Sequence, residues 1–175
     1  MALARQGDAG AFEELVHRHA GEVYGLLARA LGDADLAEEA SRETLRRAWC
    51  ALPSIRGDAA FSTRLLGIAV SEASCLIARQ VGGGPVVLDD VTDPPDLGVG
   101  PAALKAASEH HVRLEQALRQ LPALHRLPVV LRDVEGFTNE EAGELLGLDP
   151  GTFKSRLHGG RMTLRRLLER QAEGR

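Results

Sequence analysis

The sequence predicts an all-α protein of two small helical domains joined by a flexible linker, the second ending in a helix-turn-helix. Three observations predict it. Apolar residues recur at helical spacing along most of the chain, and no alternating strand pattern interrupts them. Aromatic residues are only 3% of a chain that is 44% hydrophobic, so Leu and Ala must fill the core, which favours helices. Residues 81–107, VGGGPVVLDDVTDPPDLGVGPAALKAA, hold a glycine triplet, four prolines and four aspartates, a composition that suits a linker and divides the chain. The division gives an N-terminal domain at 1–80 and a C-terminal domain at 108–175.

Three helices are expected before the linker. The first, about 9–31, places Phe12, Leu15, Val16, Val23, Leu26, Leu27 and Leu31 at helical spacing, and Gly32-Asp33 ends it. The second, about 35–51, runs to Leu52-Pro53. A loop, PSIRGDAA, leads to a third at about 60–79, with Phe61, Leu65, Ile68, Ala69 and Leu76 on one side. Four more are expected after it, at about 109–120, 123–135, 139–146 and 150–170. Pro122 suits a helix start, whereas Pro128 should kink the helix that contains it or delay its beginning.

The last two helices carry the strongest local signals. Thr138 and Glu141 have the spacing of a capping box. Leu145 and Leu146 are expected to face inward, and Gly147 to end the helix in left-handed geometry. Asp149 can cap the next helix, with Pro150 in its first turn. There Phe153, Leu157, Leu164, Leu167 and Leu168 form an apolar stripe. The other face offers Thr152, Lys154, Ser155 and His158, then Arg161 and Arg165. A helix with polar, basic N-terminal turns, propped by a short helix, is what major-groove reading requires.

Charge points the same way. The chain is net −4, yet residues 150–175 carry 7 basic and 2 acidic residues. An acidic protein has put its positive charge at one end, the local footprint of a nucleic-acid contact.

Other classes find little support. No run of about 18 apolar residues suggests a membrane span, and the charged N-terminus lacks an apolar signal core, so a cytoplasmic protein is expected. Cys50 and Cys75 form no CxxC pair and read as core thiols. The six histidines, among them His17, His19, His110 and His111, lack zinc-site spacing. With no phosphate loop or nucleophile elbow either, the chain reads as a non-enzyme that needs no metal or cofactor. Trp49 and Phe61 read as core, and Arg46-Arg47 as a solvated face.

With these residues in view, the chain resembles the extracytoplasmic-function group of bacterial RNA polymerase sigma factors. LPALHRLPVVLRDVEGFTNEEAGELLGLDPGTFKSRL is similar to that family's promoter −35 domain. GDAGAFEELVHRH and GDADLAEEASRETLRRAWCALPSIRGDAAF match its other domain in outline. The resemblance implies a subunit that binds core RNA polymerase, opens the promoter −10 element with its first domain and is held by an anti-sigma factor. It implies −35 contacts from Lys154, Ser155 and His158, with Thr152, Arg161 and Arg165 at the backbone. It implies −10 contacts from Ser54, Arg56, Gly57, Asp58 and Arg64, and polymerase docking by Glu39, Arg42, Glu43 and Arg47 on the exposed side of helix 35–49.

The chain also departs from the family. Where DLVQEVFLRAW is expected it has EASRETLRRAW, so apolar positions become Ala40, Ser41 and Thr44. In the third helix, Arg64-Leu65-Leu66-Gly67 replaces a Trp-Leu-Tyr-Arg run, and Val70 and Glu72 stand at basic positions. Gly159 and Gly160 replace an arginine and an alanine, which weakens the reading helix by about 1–2 kcal/mol. Weak intrinsic promoter melting is expected, with Arg64→Trp and Gly67→Arg restoring it. Two other readings stay open: a sigma-like decoy that binds an anti-sigma factor, and a helix-turn-helix regulator that dimerises on a palindrome.

Overall fold

A computed structural model describes residues 3–55, 58–80 and 109–173, and for 58–60 and 109–111 the backbone alone. The linker expected at 81–107 lies outside the described residues, as do Arg56 and Gly57. Among the described residues the regular structure is helical throughout, without a strand.

A short 3₁₀ turn, Ala4–Gln6, leads into α1 (Ala9–Leu31), and Asp8 caps it by accepting from the Ala11 N–H at 2.9 Å. Gly32 ends α1 in the left-handed region at φ 69°, and Asp33 caps α2 (Ala34–Ala51) through the Leu36 N–H. Both aspartates precede an apolar-periodic run, the position where a carboxylate satisfies an orphan amide. A 3₁₀ turn, Leu52–Ser54, precedes α3 (Asp58–Gln80).

α1, α2 and α3 pack on one another around Phe12, Leu26, Leu27, Phe61 and Leu65. Phe61 is fully buried, while Trp49 is half-buried with its ring edge-on to Phe12 at 4.8 Å. Cys75 is buried and Cys50 half-buried, both as free thiols. The stretch Phe61–Gln80 is long and apolar enough to cross a membrane by length and composition. Its apolar side is spent on the bundle, since Phe61, Leu65, Ala69, Val70, Ala73 and Ile77 are all buried.

The smaller residues of α2 lie inside. Ala40, Ser41 and Thr44 are buried, and the Ser41 hydroxyl donates to the Ala37 carbonyl at 2.7 Å. The buried Thr44 hydroxyl has no hydrogen-bond partner among the described residues.

The C-terminal half comprises α4 (Glu109–Gln120), α5 (Ala123–Val129), α6 (Asn139–Leu146) and α7 (Pro150–Glu173). Pro128 neither kinks α5 at its start nor delays it. The helix runs through the proline and then widens into a π-turn, Val130–Val134. In the wider turn the Glu135 N–H donates to the Val130 carbonyl at 2.9 Å. This corrects the single helix expected over 123–135.

The two halves pack together. α1 meets α4, α5 and the π-turn, while α3 meets α5 and α6. The core is therefore continuous across the chain, running from Phe12 and Leu27 to Leu118, Val130 and Phe153.

Candidate nucleic-acid interface

α6 and α7 are set by their ends. The Thr138 hydroxyl accepts from the Glu141 N–H at 3.1 Å, and the Glu141 carboxylate accepts from the Thr138 N–H at 2.8 Å. Those bonds to Thr138 hold the Glu141 carboxyl below its ordinary range. Gly147 turns the chain at φ 61°, a conformation only glycine adopts cheaply. Asp149 then accepts from the Gly151 and Thr152 N–H groups, each at 3.0 Å, and its bonds to Thr152 and Gly151 lower its carboxyl too.

α6 turns Leu145 and Leu146 inward as expected, packed against the core. Ala142 and Gly143 are its buried residues, while Leu145 and Leu146 are only half-buried. α7 buries Phe153, Leu157, Gly160 and Leu167. Lys154, Ser155 and His158 stand exposed on the other face, with Thr152 half-exposed near the cap. A polar, basic surface of this kind can enter a major groove without opening the core behind it.

Arg161 and Arg165 are exposed, and both are paired. Arg161 makes a two-pronged contact with Asp133 of the π-turn, its Nε 2.9 Å from Oδ2. Arg165 donates to Glu169 one turn on at 2.8 Å. Each carboxylate holds its arginine above the ordinary value. A phosphate must therefore compete with Asp133 for Arg161, a residue that no sequence spacing connects to it.

The glycine pair has a steric origin. A Cβ at Gly160 would sit 2.6 Å from Val129 Cγ2 and 2.8 Å from the His125 carbonyl oxygen. A Cβ at Gly159 would meet the His125 ring at 3.1 Å. α7 thus crosses α5 closely there, and the glycines serve the packing of α7 as well as weakening it.

The expected −10 and docking residues are scattered. Ser54 ends the 3₁₀ turn with its hydroxyl on the Ala51 carbonyl, Asp58 starts α3, and Arg64 is exposed six residues further on. On α2, Glu39 and Arg42 are exposed, and Arg42 pairs with Glu38 at 2.8 Å.

Glu43 and Arg47 are not on that exposed side. Both are half-buried, and Arg47 bridges Glu43 at 2.8 Å and Glu72 of α3. Arg46 joins them through Glu43 at 2.7 Å, so the arginine pair is part of a network rather than a solvated face. The Arg46 hydrogen bonds, with those of Arg47, hold Glu43 at about 2 against its desolvation. Glu72 moves the other way, because burial raises it above the ordinary carboxylate range despite Arg47.

Comparison with known proteins decides the family. A profile described as Sigma-70, region 4 matches residues 111–164, which span nearly all of α4 through most of α7. The RNA polymerase sigma factor CarQ of Myxococcus xanthus is 34% identical over 170 residues, covering 96% of this chain and 95% of that one. The ECF RNA polymerase sigma-E factor of Salmonella typhimurium is 30% identical, covering 90% of this chain and 86% of that one. This chain belongs to the extracytoplasmic-function sigma factors.

The fold of this sigma factor agrees with that assignment. It is similar to the sigma factor RpoE from Bartonella quintana, solved with the anti-sigma factor NepR, with a TM-score of 0.56, 23% identity and coverage of 91% of this chain and 97% of that one.

Proposed function

We propose that this sigma factor binds core RNA polymerase and directs it to promoters, reading the −35 element through the exposed face of α7. The observation that carries the reading is the pairing of Lys154, Ser155 and His158 on solvent with Phe153 and Leu157 buried behind them. Lysine donates to guanine edges and serine to several bases. Arg161 and Arg165 stand further along the same helix, where phosphate contacts hold position rather than sequence. Residues 1–80 form the core-docking and −10 domain in this reading, 81–107 the linker, and 108–175 the −35 domain. Ser54, Arg56, Gly57, Asp58 and Arg64 serve the −10 element. Glu39 and Arg42 offer the polymerase an accessible docking face, with Glu43 and Arg47 shaping it from behind. The protein acts in the cytoplasm without an enzymatic activity of its own, and an anti-sigma factor is its natural regulator.

The test is run-off transcription with purified core polymerase over a randomised promoter pool, with core binding read in the same samples. Transcripts sharing one −35/−10 pair are expected. If core binds and no transcript appears, the protein needs an activator or premelted DNA. If neither appears, the decoy reading takes its place. Within that assay, Lys154→Ala relaxes −35 preference, costing about 1–3 kcal/mol on the preferred sequence alone. Arg165→Ala weakens all promoters alike and lowers the salt slope by about 1. Equal effects of both across promoter variants would refute that division of roles.

A further inference from the structure

Arg161 leaves α7 at a point where that helix lies hard against α5. Its neighbour Gly160 is so near Val129 and the His125 carbonyl that a Cβ would collide with both. Four residues beyond Val129 stands Asp133, on the π-turn. A carboxylate on so short a stem reaches across because the two helices nearly touch there. It takes the guanidinium in two bonds, Nε to Oδ2 at 2.9 Å and Nη2 to Oδ1 at 2.5 Å. The turn that carries Asp133 is anchored from within. Val130 and Leu131 are fully buried, the Phe137 N–H donates to the Leu131 carbonyl at 3.0 Å, and Arg132 donates to the Phe137 carbonyl at 3.2 Å. Glu135, two residues on, is held by Arg29 of α1 at 2.6 Å, which leaves Arg161 to Asp133.

The paired edge decides what Arg161 can still do. A guanidinium carries five N–H groups in one plane. Asp133 occupies the Nε–Nη2 edge, and the two Nη1 N–H groups have no partner among the described residues. A phosphate that seeks the paired edge competes with Asp133, but one that meets the Nη1–Nη2 edge does not. With one edge clamped, the plane of the fork is set before anything binds, so less rotamer freedom is lost on contact. The free edge suits a two-point bond to phosphate. The charges of Arg161 and Asp133 meanwhile cancel, so the pair offers directed hydrogen bonds with little net charge.

Arg165 is built the other way. Its side chain is 74% exposed, and its partner Glu169 lies on the same helix, bonded through Nε at 2.8 Å. Exposed pairs of that spacing are worth little, and a phosphate displaces Glu169 readily. Arg156 is half-buried and edges a groove lined by Ile77 of α3 and Leu127 of α5, away from Lys154. With Gly159 where an arginine was expected, Arg161 is the first arginine on the face of Lys154, Ser155 and His158.

We propose that Asp133 is a positioning residue for promoter recognition: it clamps Arg161 so that the free edge of the guanidinium meets one phosphate in one register, and it cancels a charge that would otherwise hold any duplex. The role rests on the reading of α7 as the −35 helix. Free cations bind every sequence alike, because the phosphate backbone is common to all. A clamped fork gains its bonds only where α7 sits in the register that Lys154 and Ser155 select. Asp133 thereby lowers affinity for wrong sequences more than for the right one.

The test measures binding of the holoenzyme, assembled from core polymerase and the full chain, across a salt series. The probes are the duplex that the unaltered holoenzyme selects from a random pool and the same duplex with its −35 element scrambled. Four proteins are compared: the unaltered chain, Asp133→Asn, Arg161→Ala and the double variant, each checked for folding by circular dichroism. Asp133→Asn frees the cation. It should bind the scrambled duplex about threefold tighter, gain little on the selected one and steepen the salt slope by about 1, so that preference falls about threefold. Arg161→Ala leaves the Asp133 charge facing the duplex and should weaken both. The double variant is neutral at both positions, like the unaltered pair, so its salt slope should return to the original. It lacks the fork, however, and should bind the selected duplex about threefold more weakly. Affinity lost without a change of slope marks a directed contact, and a merely structural pair would not show it.

Equal gains for Asp133→Asn on both duplexes make Asp133 a simple competitor and overturn the positioning role. An unchanged slope for that variant overturns the contact itself. Lys154→Ala in the same assay separates the two readings. If it leaves the preference untouched, the −35 reading of α7 falls and the clamp with it. If it relaxes the preference while Asp133→Asn does not, the −35 reading stands and the clamp alone is overturned.

Discussion

At Gly160 the usual ranking of glycine and alanine in a helix reverses. Alanine gains about 1 kcal/mol of helix propensity there, but its Cβ would press on the His125 backbone carbonyl at 2.8 Å, which cannot swing away. Overpacking of that kind costs about 1–3 kcal/mol, so Gly160→Ala should lower the urea midpoint. Gly159→Ala meets only the ring of His125 at 3.1 Å and should be tolerated better. An equal or higher midpoint for the Gly160 variant would show that α5 and α7 cross less closely than the structure has them. In the proposed −35 reading the same comparison bears on function, because the crossing sets how α7 presents Lys154 and Ser155.

At the scale of elements, α2 and α3 are joined by charge as well as by their apolar faces. Glu43 lies at about 2 in the folded chain against an ordinary 4.5, so the folded state binds fewer protons there than the unfolded one. Its contribution is present above pH 4.5 and is lost as pH falls from there toward 2. Glu72 is raised, so its charged form opposes folding above its folded pKa, and that cost fades as pH falls through it. On acidification Glu72 is relieved first and Glu43 is lost afterwards. Glu43→Gln should therefore remove about 1 kcal/mol of stability at neutral pH, allowing for solvent screening, and flatten the decline between pH 4.5 and 2. Urea midpoints of both proteins across that range check it; parallel declines would remove Glu43 as the cause.

For the whole molecule, the continuous core has a thermodynamic consequence. Phe12, Leu27, Leu118 and Val130 belong to one buried cluster although residues 81–107 separate the two pairs in the sequence. The chain should unfold in one calorimetric transition, since exposing either half strips apolar cover from the other. Arg29→Glu should split that transition in two. A split already present in the unaltered protein would mean that the halves are energetically independent.

Most of the helices and the polar face of α7 were already written in the spacing of the residues. α1, α4 and α6 span the expected ranges, and Gly32, Thr138, Glu141, Gly147 and Asp149 mark helix ends as read. Those features rest on contacts three or four residues apart, which spacing encodes directly. The caps at Asp8 and Asp33 were missed, although each stands just before an apolar-periodic run where the same rule would have found it. Only the tertiary structure turned Glu43 and Arg47 onto Glu72, set Asp133 against Arg161, brought α5 against the glycine pair, and widened the helix after Pro128 into a π-turn. It alone joined Arg126 to Ala30 and Arg29 to Glu135, residues 96 and 106 positions apart. Separations of that size leave no periodic trace, because which helix faces meet is decided by burial and charge summed over the whole chain.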